Sequence, residues 1–268
     1  MKKKSIISAV LIALTLCALT SCGNSKWLTD YEKAKKTAVS QNKYLMVFFS
    51  GNDWDSKSTD LKENITDKPE FIKAVGKDYV LVNIDFSQDI YQKVLSYDEE
   101  TATKKETKEY EKLAEEYGTK SAIAKQYNLS SYPSIFIATA DGVIVTQLEY
   151  NEGIDTLETM IERVASIKPS ADKIKELYEN VNSSEGADRV KAIDALYEAT
   201  KVNYRITLNA LVKEVPELDP NNTTGLLGKY EMQICYIDAI ELAAIQDMKG
   251  ASKIFEDAAE KGHMSPEE

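Results

Sequence analysis

The sequence predicts an α/β three-layer sandwich followed by an all-helical C-terminal region. The apolar run YLMVFF at residues 44–49 is typical of a strand buried on both faces. A second such run, YVLVNIDF, covers residues 79–86, and SIFIA and VIVTQL flank Asp141-Gly142, a strong hairpin signal. Helix-period segments separate these runs, so we expect parallel strands joined by helices and finished by an antiparallel hairpin.

The helices of this first region follow from apolar spacing. One precedes the first strand, with its apolar positions at Trp27, Tyr31, Ala34 and Ala38. After the turn GNDW a helix is expected through Leu61, then another at PEFIKAV and one at about residues 154–167. The charged insert at about residues 87–120 predicts a further helix packed by one thin face, either solvated or partner-binding.

The strand signals stop after Pro169. Periodic apolar residues predict helices that begin near Ile174, Val190 and Leu227, with two more in RITLNALVKEV and GASKIFEDAAEK. VPELDPNN resembles the inter-repeat turn of tetratricopeptide arrays, but no internal repeat supports it, so an array and an irregular bundle both stay open. We therefore expect one domain at residues 27–168 and a helical domain at residues 169–268.

The first residues predict export. Three lysines precede an apolar run at residues 6–19 that is too short for an ordinary spanning helix but typical of a secretory signal. The run ends in LTSC, which resembles a bacterial lipobox, and this resemblance implies a signal at residues 1–21, a lipid on Cys22 and a tether at residues 22–26. The alternative is an ordinary signal with a chance cysteine. Gly23, rather than Asp, follows Cys22, which favours the outer membrane.

Composition limits the partners and the redox chemistry. The chain has 33 Lys and Arg against 44 Asp and Glu, a net charge of −11, which argues against nucleic acid and against electrostatic docking on anionic lipid. Cys17 would leave with the signal and Cys22 would carry lipid, so the mature monomer would form no internal disulfide. Cys235 lies in an apolar helical segment and is predicted to be an inert core thiol. The only histidine, His263, argues against Ser-His or Cys-His catalysis.

Two segments carry a family resemblance. FFSGNDWDSKSTDL at residues 48–61 is similar to the DFTGSDWCGWCKKL pattern of bacterial thioredoxin-like lipoproteins and periplasmic thioredoxin-family proteins. IAKQYNLSSYPSIFI at residues 123–137 looks like the family's LAEKYGVRGFPTIVF. The resemblance implies the thioredoxin fold for residues 27–168 and a cis bond at Tyr132-Pro133 that faces the turn after the first strand.

The departures from the pattern concern the redox chemistry. By the resemblance, Asp55 stands at the nucleophilic cysteine, Ser58 at the resolving cysteine, and Phe48 where the family often has a buried Asp that assists proton transfer. Disulfide exchange requires a thiolate that attacks sulfur, and neither a carboxylate nor a hydroxyl can form the mixed disulfide. We therefore expect no catalytic residue and no cofactor.

The acidic turn has two further interpretations. Asp53, Asp55 and Asp60 could supply oxygen ligands to calcium, but the glycine of a calcium-binding loop is missing, and helix capping explains them as well. DPNNTTG at residues 219–225 lacks the twelfth-position carboxylate of such a loop, so Asn222 or Thr223 is expected to cap a helix. No metal site is predicted.

Two function classes remain. The first is a lipoprotein of the bacterial cell envelope, on the periplasmic side, that binds an unidentified protein or peptide through Trp54, Asp55, Tyr132 and Pro133. The second is a thiol-disulfide oxidoreductase that uses Cys235 or a partner's cysteine.

Overall fold

A four-stranded mixed sheet forms the centre of the protein, and the structure, a computed structural model, describes residues 27–261. Strand β1 (Tyr44–Ser50) lies in the middle, parallel to β2 (Tyr79–Asp85) and antiparallel to β3 (Ser134–Ala138). Strand β4 (Ile144–Leu148) pairs antiparallel with β3, giving the order β2-β1-β3-β4. The predicted strands and hairpin are confirmed.

Helices cover both faces of this sheet. Helices α1 (Tyr31–Gln41) and α5 (Lys104–Gln126) lie on one face, where Leu45, Val47 and Phe49 point. The opposite face carries α2 (Ser56–Leu61), continued by a π-helical turn (Lys62–Thr66), with α3 (Pro69–Val75) and α6 (Leu157–Ser183). Because side chains alternate along a strand, β1 fills both layers of the core, and the three-layer prediction is confirmed.

The two edges of the sheet are covered differently. At the β2 edge, Leu28 forms a single parallel bridge, donating its N–H to the Leu81 carbonyl at 2.9 Å and accepting from the Asn83 N–H at 2.8 Å. At the β4 edge, the Gln147 N–H donates to the Tyr204 hydroxyl at 3.1 Å. Tyr204 belongs to the C-terminal region, so this region contacts the β4 edge. The β2 edge is covered only over a short stretch, by Leu28, within the part of the chain that the structure describes.

The charged insert forms two helices rather than one. Helix α4 (Gln88–Leu95) is followed by a loop and then by α5, whose N-terminus carries a capping box between Thr103 and Glu106. Helix α5 continues through the expected insert end at residue 120 to Gln126, so its last turns pack on the sheet.

Helix α6 runs across the expected domain boundary after Lys168. A single helix runs through Pro169, although an interior proline removes one backbone bond and costs about 3 kcal/mol. Tertiary contacts hold it: the Tyr44 hydroxyl donates to Asp172 at 2.5 Å, and Met160 and Ala171 are fully buried on either side of the proline. The predicted boundary between residues 168 and 169 thus lies inside a helix.

The C-terminal region is an irregular set of helices, as one of the two interpretations predicted. Its regular members are α7 (Gly186–Ala199), α10 (Leu227–Ala244) and α11 (Met248–Lys261). The expected helix at residues 205–215 is wrong: a 3-10 helix (Val202–Leu208) precedes the one-turn helices α8 (Asn209–Val212) and α9 (Val215–Leu218). Tyr204 is engaged at the sheet edge, and Pro216, which has no N–H to donate to residue 212, lies in the first turn of α9, where a proline is tolerated.

The loop at residues 219–225 closes on itself. The Asp219 carboxylate accepts hydrogen bonds from the N–H and hydroxyl groups of Thr223 and Thr224, all at 2.7–2.8 Å. The Asn222 side chain accepts from the Leu227 N–H at 3.0 Å, at the start of α10. Asn222 therefore supports the helix start from within the loop, while the N-cap position expected for Asn222 or Thr223 is held by Leu226.

No helix within residues 27–261 is long and apolar enough to cross a membrane. The expected signal, the tether with Cys22, and His263 lie outside the described residues.

The continuity of α6 predicts the order of proteolytic cleavage. Endoproteinase Glu-C should cut after Glu99 or Glu100, in the loop between α4 and α5, before it cuts after Glu162 in α6. All three side chains are exposed, but a helix must open locally before a protease can bind its backbone. Mass spectrometry of the first fragments checks this, and early cleavage at Glu162 would contradict the continuous helix.

Candidate functional site

A tight turn connects the end of β1 to α2, at the place where the resemblance locates the redox motif. The Trp54 and Asp55 N–H groups both donate to the Gly51 carbonyl, at 3.1 and 2.7 Å. A Cβ atom at Gly51 would lie 2.3 Å from the Trp54 indole. Only glycine therefore lets the indole fold back against the turn.

Asp55 and Ser58 contact each other directly. Asp55 is the N-cap of α2, and its carboxylate accepts the Ser58 N–H at 2.9 Å and the Ser58 hydroxyl at 2.5 Å. The Ser58 oxygen in turn accepts the Gly51 N–H at 3.1 Å, and Ser58 is fully buried. The capping interpretation is confirmed for Asp55, and the two side chains that the resemblance places at the cysteines converge.

Asp53 caps a different helix. Its carboxylate accepts the Ser87 hydroxyl at 2.7 Å and the N–H groups of Gln88 and Asp89 at 2.9 and 3.3 Å, all at the start of α4. Desolvation opposes ionisation, but these hydrogen bonds outweigh it and hold the pKa of Asp53 below its ordinary value. The turn and the insert are therefore joined through one carboxylate.

Asp60, the third carboxylate of the turn region, accepts hydrogen bonds from the Tyr150 hydroxyl and, at 2.7 Å, from the Asn64 amide. Desolvation and this contact raise the pKa of Tyr150. Asp53, Asp55 and Asp60 thus have separate partners. Within residues 27–261, no three His, Cys, Asp or Glu side chains are grouped as metal ligands.

Trp54 packs beside the Tyr132-Pro133 bond, which the resemblance predicts to be cis. Tyr132-Pro133 is cis, as expected. The Trp54 ring meets Tyr132 edge to face at a centroid distance of 5.3 Å, while its indole N–H donates to the Phe86 carbonyl at 2.6 Å. Trp54 nevertheless remains 49% exposed. A large apolar side chain held rigidly at the surface is typical of a protein contact site.

An aromatic ladder, defined here as Trp54, Tyr132, Phe86, Tyr117 and Tyr91, extends this surface toward the insert. Successive ring centroids along it are 5.3, 5.6, 5.8 and 5.6 Å apart. Desolvation raises the pKa of Tyr132 to about 12. The far end of the ladder, Tyr91 on α4, is 37% exposed. The sequence analysis grouped Trp54 with Tyr132 in one predicted binding surface but did not predict their connection to α4.

The backbone of Tyr132 is available to a ligand. Its N–H and C=O have no hydrogen-bond partner among the residues that the structure describes. Unpaired backbone groups beside an aromatic surface suit an extended chain, which supplies complementary donors and acceptors.

A polar network that the sequence analysis missed supports the turn from below. The Ser50 hydroxyl lies 2.7 Å from the Asp85 carboxylate and 2.9 Å from the Asn83 side chain, and the Asn52 N–H donates to Asp85 at 3.0 Å. Ser50 and Asp85 end two adjacent parallel strands, whose carboxyl ends meet at the same edge of the sheet. The presence of polar residues at the ends of both strands was the feature of the sequence that could have predicted this network.

Comparison with known proteins assigns the fold to a family. Residues 31–165, just over half of the chain, match the family described as a thioredoxin-like domain. The chain belongs to this family. Residues 226–268 also match a family described only as the C-terminal domain of an uncharacterised protein.

Relatives of this thioredoxin-like chain are distant. It is 28% identical over 91 residues to a "Thioredoxin-related protein DsbJ" of Chlamydia pneumoniae, covering 32% of the chain but 26% of that relative. An uncharacterised protein of Treponema pallidum is 20% identical over 260 residues, covering 96% of the chain and 78% of the relative. A solved structure, "DsbH Oxidoreductase", is 18% identical with a TM-score of 0.40, over 53% of this chain and 83% of that one.

Two residues that the sequence analysis considered for redox chemistry, Phe48 and Cys235, are both buried. Phe48 is buried and meets the Trp27 ring edge to face at 5.8 Å, within a hydrophobic cluster. Cys235 is buried in α10, where its thiol lies 4.0 Å from the Ile254 carbonyl. Burial in apolar surroundings raises the cost of forming a thiolate.

The convergence of Asp55 and Ser58 predicts that cysteines at these positions will bond. In a Cys235→Ala background, Asp55→Cys with Ser58→Cys should form an intramolecular disulfide under mild oxidation, because i, i+3 side chains at a helix start are neighbours. Mass spectrometry should show the loss of two hydrogens.

The matched control is Asp55→Cys with Thr59→Cys, because the Thr59 hydroxyl points instead to the Asn52 carbonyl at 3.0 Å. This pair should oxidise less readily. Equal oxidation of the two pairs would remove the support for the redox-motif alignment.

Proposed function

We propose that this thioredoxin-like protein binds an extended segment of an envelope protein and does not itself exchange disulfides. The observation that carries the proposal is the half-exposed Trp54 beside the unpaired N–H and C=O of Tyr132. The backbone groups supply sequence-independent hydrogen bonds, and the indole supplies apolar contact area. Neither contribution requires a thiol.

The proposed loss of redox chemistry rests on the equivalence of Asp55 and Ser58 with the family's cysteines. Their direct contact at 2.5 Å supports this equivalence, because the two cysteines must also be able to meet. A carboxylate and a hydroxyl cannot accept and pass on a disulfide. Phe48, at the position of the proton acceptor, cannot take up a proton.

The proposed location is the periplasmic side of the bacterial cell envelope, with a lipid on Cys22 as the anchor. The basic residues, the apolar run and the tetrapeptide LTSC support it together. Several acyl chains would anchor the protein durably, since each buried methylene contributes about 0.8 kcal/mol. Gly23 after the lipidated cysteine supports outer-membrane delivery.

A thiol-disulfide oxidoreductase is the second candidate, since the relative from Chlamydia pneumoniae is described as thioredoxin-related. In this chain it would depend on Cys235 or on a partner's cysteine. The burial of Cys235 argues against the first route. Measurable insulin reduction by the wild-type protein, together with rapid thiol labelling of native Cys235, would favour this candidate.

Site-specific photocrosslinking tests the binding surface. A benzophenone side chain in place of Tyr132 should crosslink a defined partner in intact cells, whereas the same group at Val39 should not. Val39 is the control because it is an exposed apolar residue on α1, outside the ladder.

The partner so identified, once purified, should bind the Trp54→Ala variant about thirtyfold more weakly, as expected for loss of a central tryptophan worth about 2 kcal/mol. Unchanged affinity, or equal crosslinking from Val39, would contradict the proposed surface.

The anchor has its own test. Cells fed a labelled fatty acid should label the wild-type protein, and Cys22→Ala should abolish the label and release exported protein from membranes. Persistent labelling of the variant would overturn the assignment of Cys22.

A further inference from the structure

The β2 edge of the sheet carries backbone groups that the fold leaves unpaired. Phe86 donates its N–H to the Ser50 carbonyl on β1 at 2.8 Å. The backbone N–H and C=O groups of even-numbered residues in β2 therefore point toward β1, and those of odd-numbered residues point away from the sheet. Leu28 satisfies two outward groups, and the Lys120 ammonium donates to the Asp85 carbonyl at 2.9 Å. The Asn83 C=O and the Asp85 N–H have no partner among the residues the structure describes.

These two groups have the spacing of one residue of an added strand. In a parallel ladder, one residue of the added strand donates its N–H to the carbonyl of one residue and accepts, with its own carbonyl, the N–H of the residue two positions further on. An antiparallel residue would instead exchange both bonds with a single residue, so the open pair at Asn83 and Asp85 fits a parallel strand. Leu28 makes the same pair of bonds two residues earlier along β2, with the Leu81 carbonyl and the Asn83 N–H. The edge therefore already shows the pattern that the open position would repeat.

A groove of about 920 Å³ lies beside this position. One wall is formed by the start of α1 and the other by α5, and Ile123 contributes apolar surface. This volume is at the upper end of the range for ligand sites, about 300–1,000 Å³, and is large enough for more than one side chain. The open backbone position and the groove adjoin each other.

We propose that this groove binds an extended, basic segment of a partner protein, which adds a short strand to β2. Backbone pairing with Asn83 and Asp85 fixes the register, and the groove receives alternate side chains. This contact is additional to the aromatic ladder and does not require it.

Charge selects the occupant. The acidic residues that line the groove are Asp30, Glu32, Asp85, Glu115 and Glu116, against Lys112 and Lys120. The Asp85 carboxylate is engaged by Ser50 and Asn52, so the negative charge offered to a ligand comes from the other four acidic residues. Lys120 is already paired with Glu116 at 2.7 Å. A basic segment complements this excess of negative charge. A second copy of the chain, with a net charge of −11, is electrostatically disfavoured.

Amide hydrogen exchange measured by NMR, with synthetic peptides as probes, tests the proposal. A short peptide of alternating lysine and valine should bind and slow exchange of the Asp85 amide. A glutamate-valine peptide should bind much more weakly because of its charge. The lysine-valine peptide methylated at every backbone nitrogen should protect the Asp85 amide much less, because it cannot donate to the Asn83 carbonyl.

Charge-reversal variants locate the contact. Glu115→Lys, in the groove, should weaken binding of the lysine-valine peptide about three- to tenfold, a typical effect of one exposed charge contact. Glu111→Lys makes the same net-charge change on α5 outside the groove lining and should have a smaller effect. Protection of the Asp85 amide by the lysine-valine peptide should persist in the Trp54→Ala variant, which separates this proposal from the function proposed for the turn.

Three results would overturn the proposal. Equal weakening by Glu111→Lys and Glu115→Lys would indicate general charge attraction. Binding without protection of the Asp85 amide would place the peptide elsewhere. Protection of that amide by self-association, seen as dimerisation in sedimentation with no peptide present, would identify a second copy as the occupant.

Discussion

Burial of β1 on both faces is the constraint on which the remaining structure depends. All seven residues of Tyr44–Ser50 are buried, so the strand is stable only when helices cover both sides of the sheet. Each large apolar side chain removed from water contributes about 1.5–3 kcal/mol. The helix layers, and the shared core of the sheet and the C-terminal region, follow from that requirement.

The turn after β1 leads into the N-terminus of α2, the kind of place where a redox cysteine of the family is expected by the resemblance. The first N–H groups of a helix have no intrahelical partners and favour negative charge. A thiolate at a helix N-terminus is stabilised, so the pKa of the cysteine thiol is lowered there. Under the proposed equivalence, the Asp55 carboxylate takes the thiolate's place and makes the hydrogen bonds permanently. The site then contributes stability instead of reactivity.

Local sequence patterns predicted the strands, the hairpin at Asp141-Gly142 and most helices, because these depend on periodicity and turn chemistry. The resemblance added the fold topology and the cis bond. What the sequence analysis missed depends on contacts between distant residues. The Asp53 cap on α4 joins residues 34 positions apart, and Asp60 contacts a tyrosine 90 positions away. No local pattern contains such pairs.

The two corrected helices show the same limit from the opposite direction. Pro169 lowers the local propensity for helix, yet α6 continues because packing on both sides outweighs one lost backbone bond. Residues 205–215 have adequate spacing for a helix, yet they form a 3-10 helix and short one-turn helices, with Tyr204 before them bonded to the β4 edge and Pro216 after them at the start of α9. Tertiary contact decided both cases.

The connection between turn and insert explains how an exposed tryptophan can be held in one orientation. Trp54 donates to the Phe86 carbonyl, and the next residues begin α4, which Asp53 caps. The turn fixes the insert, and the insert fixes the far end of the aromatic ladder at Tyr91. Because these side chains are already ordered, they would lose little rotamer freedom when a partner binds. In the proposed function, a surface of this kind would contribute to binding through its rigidity, which requires no thiol.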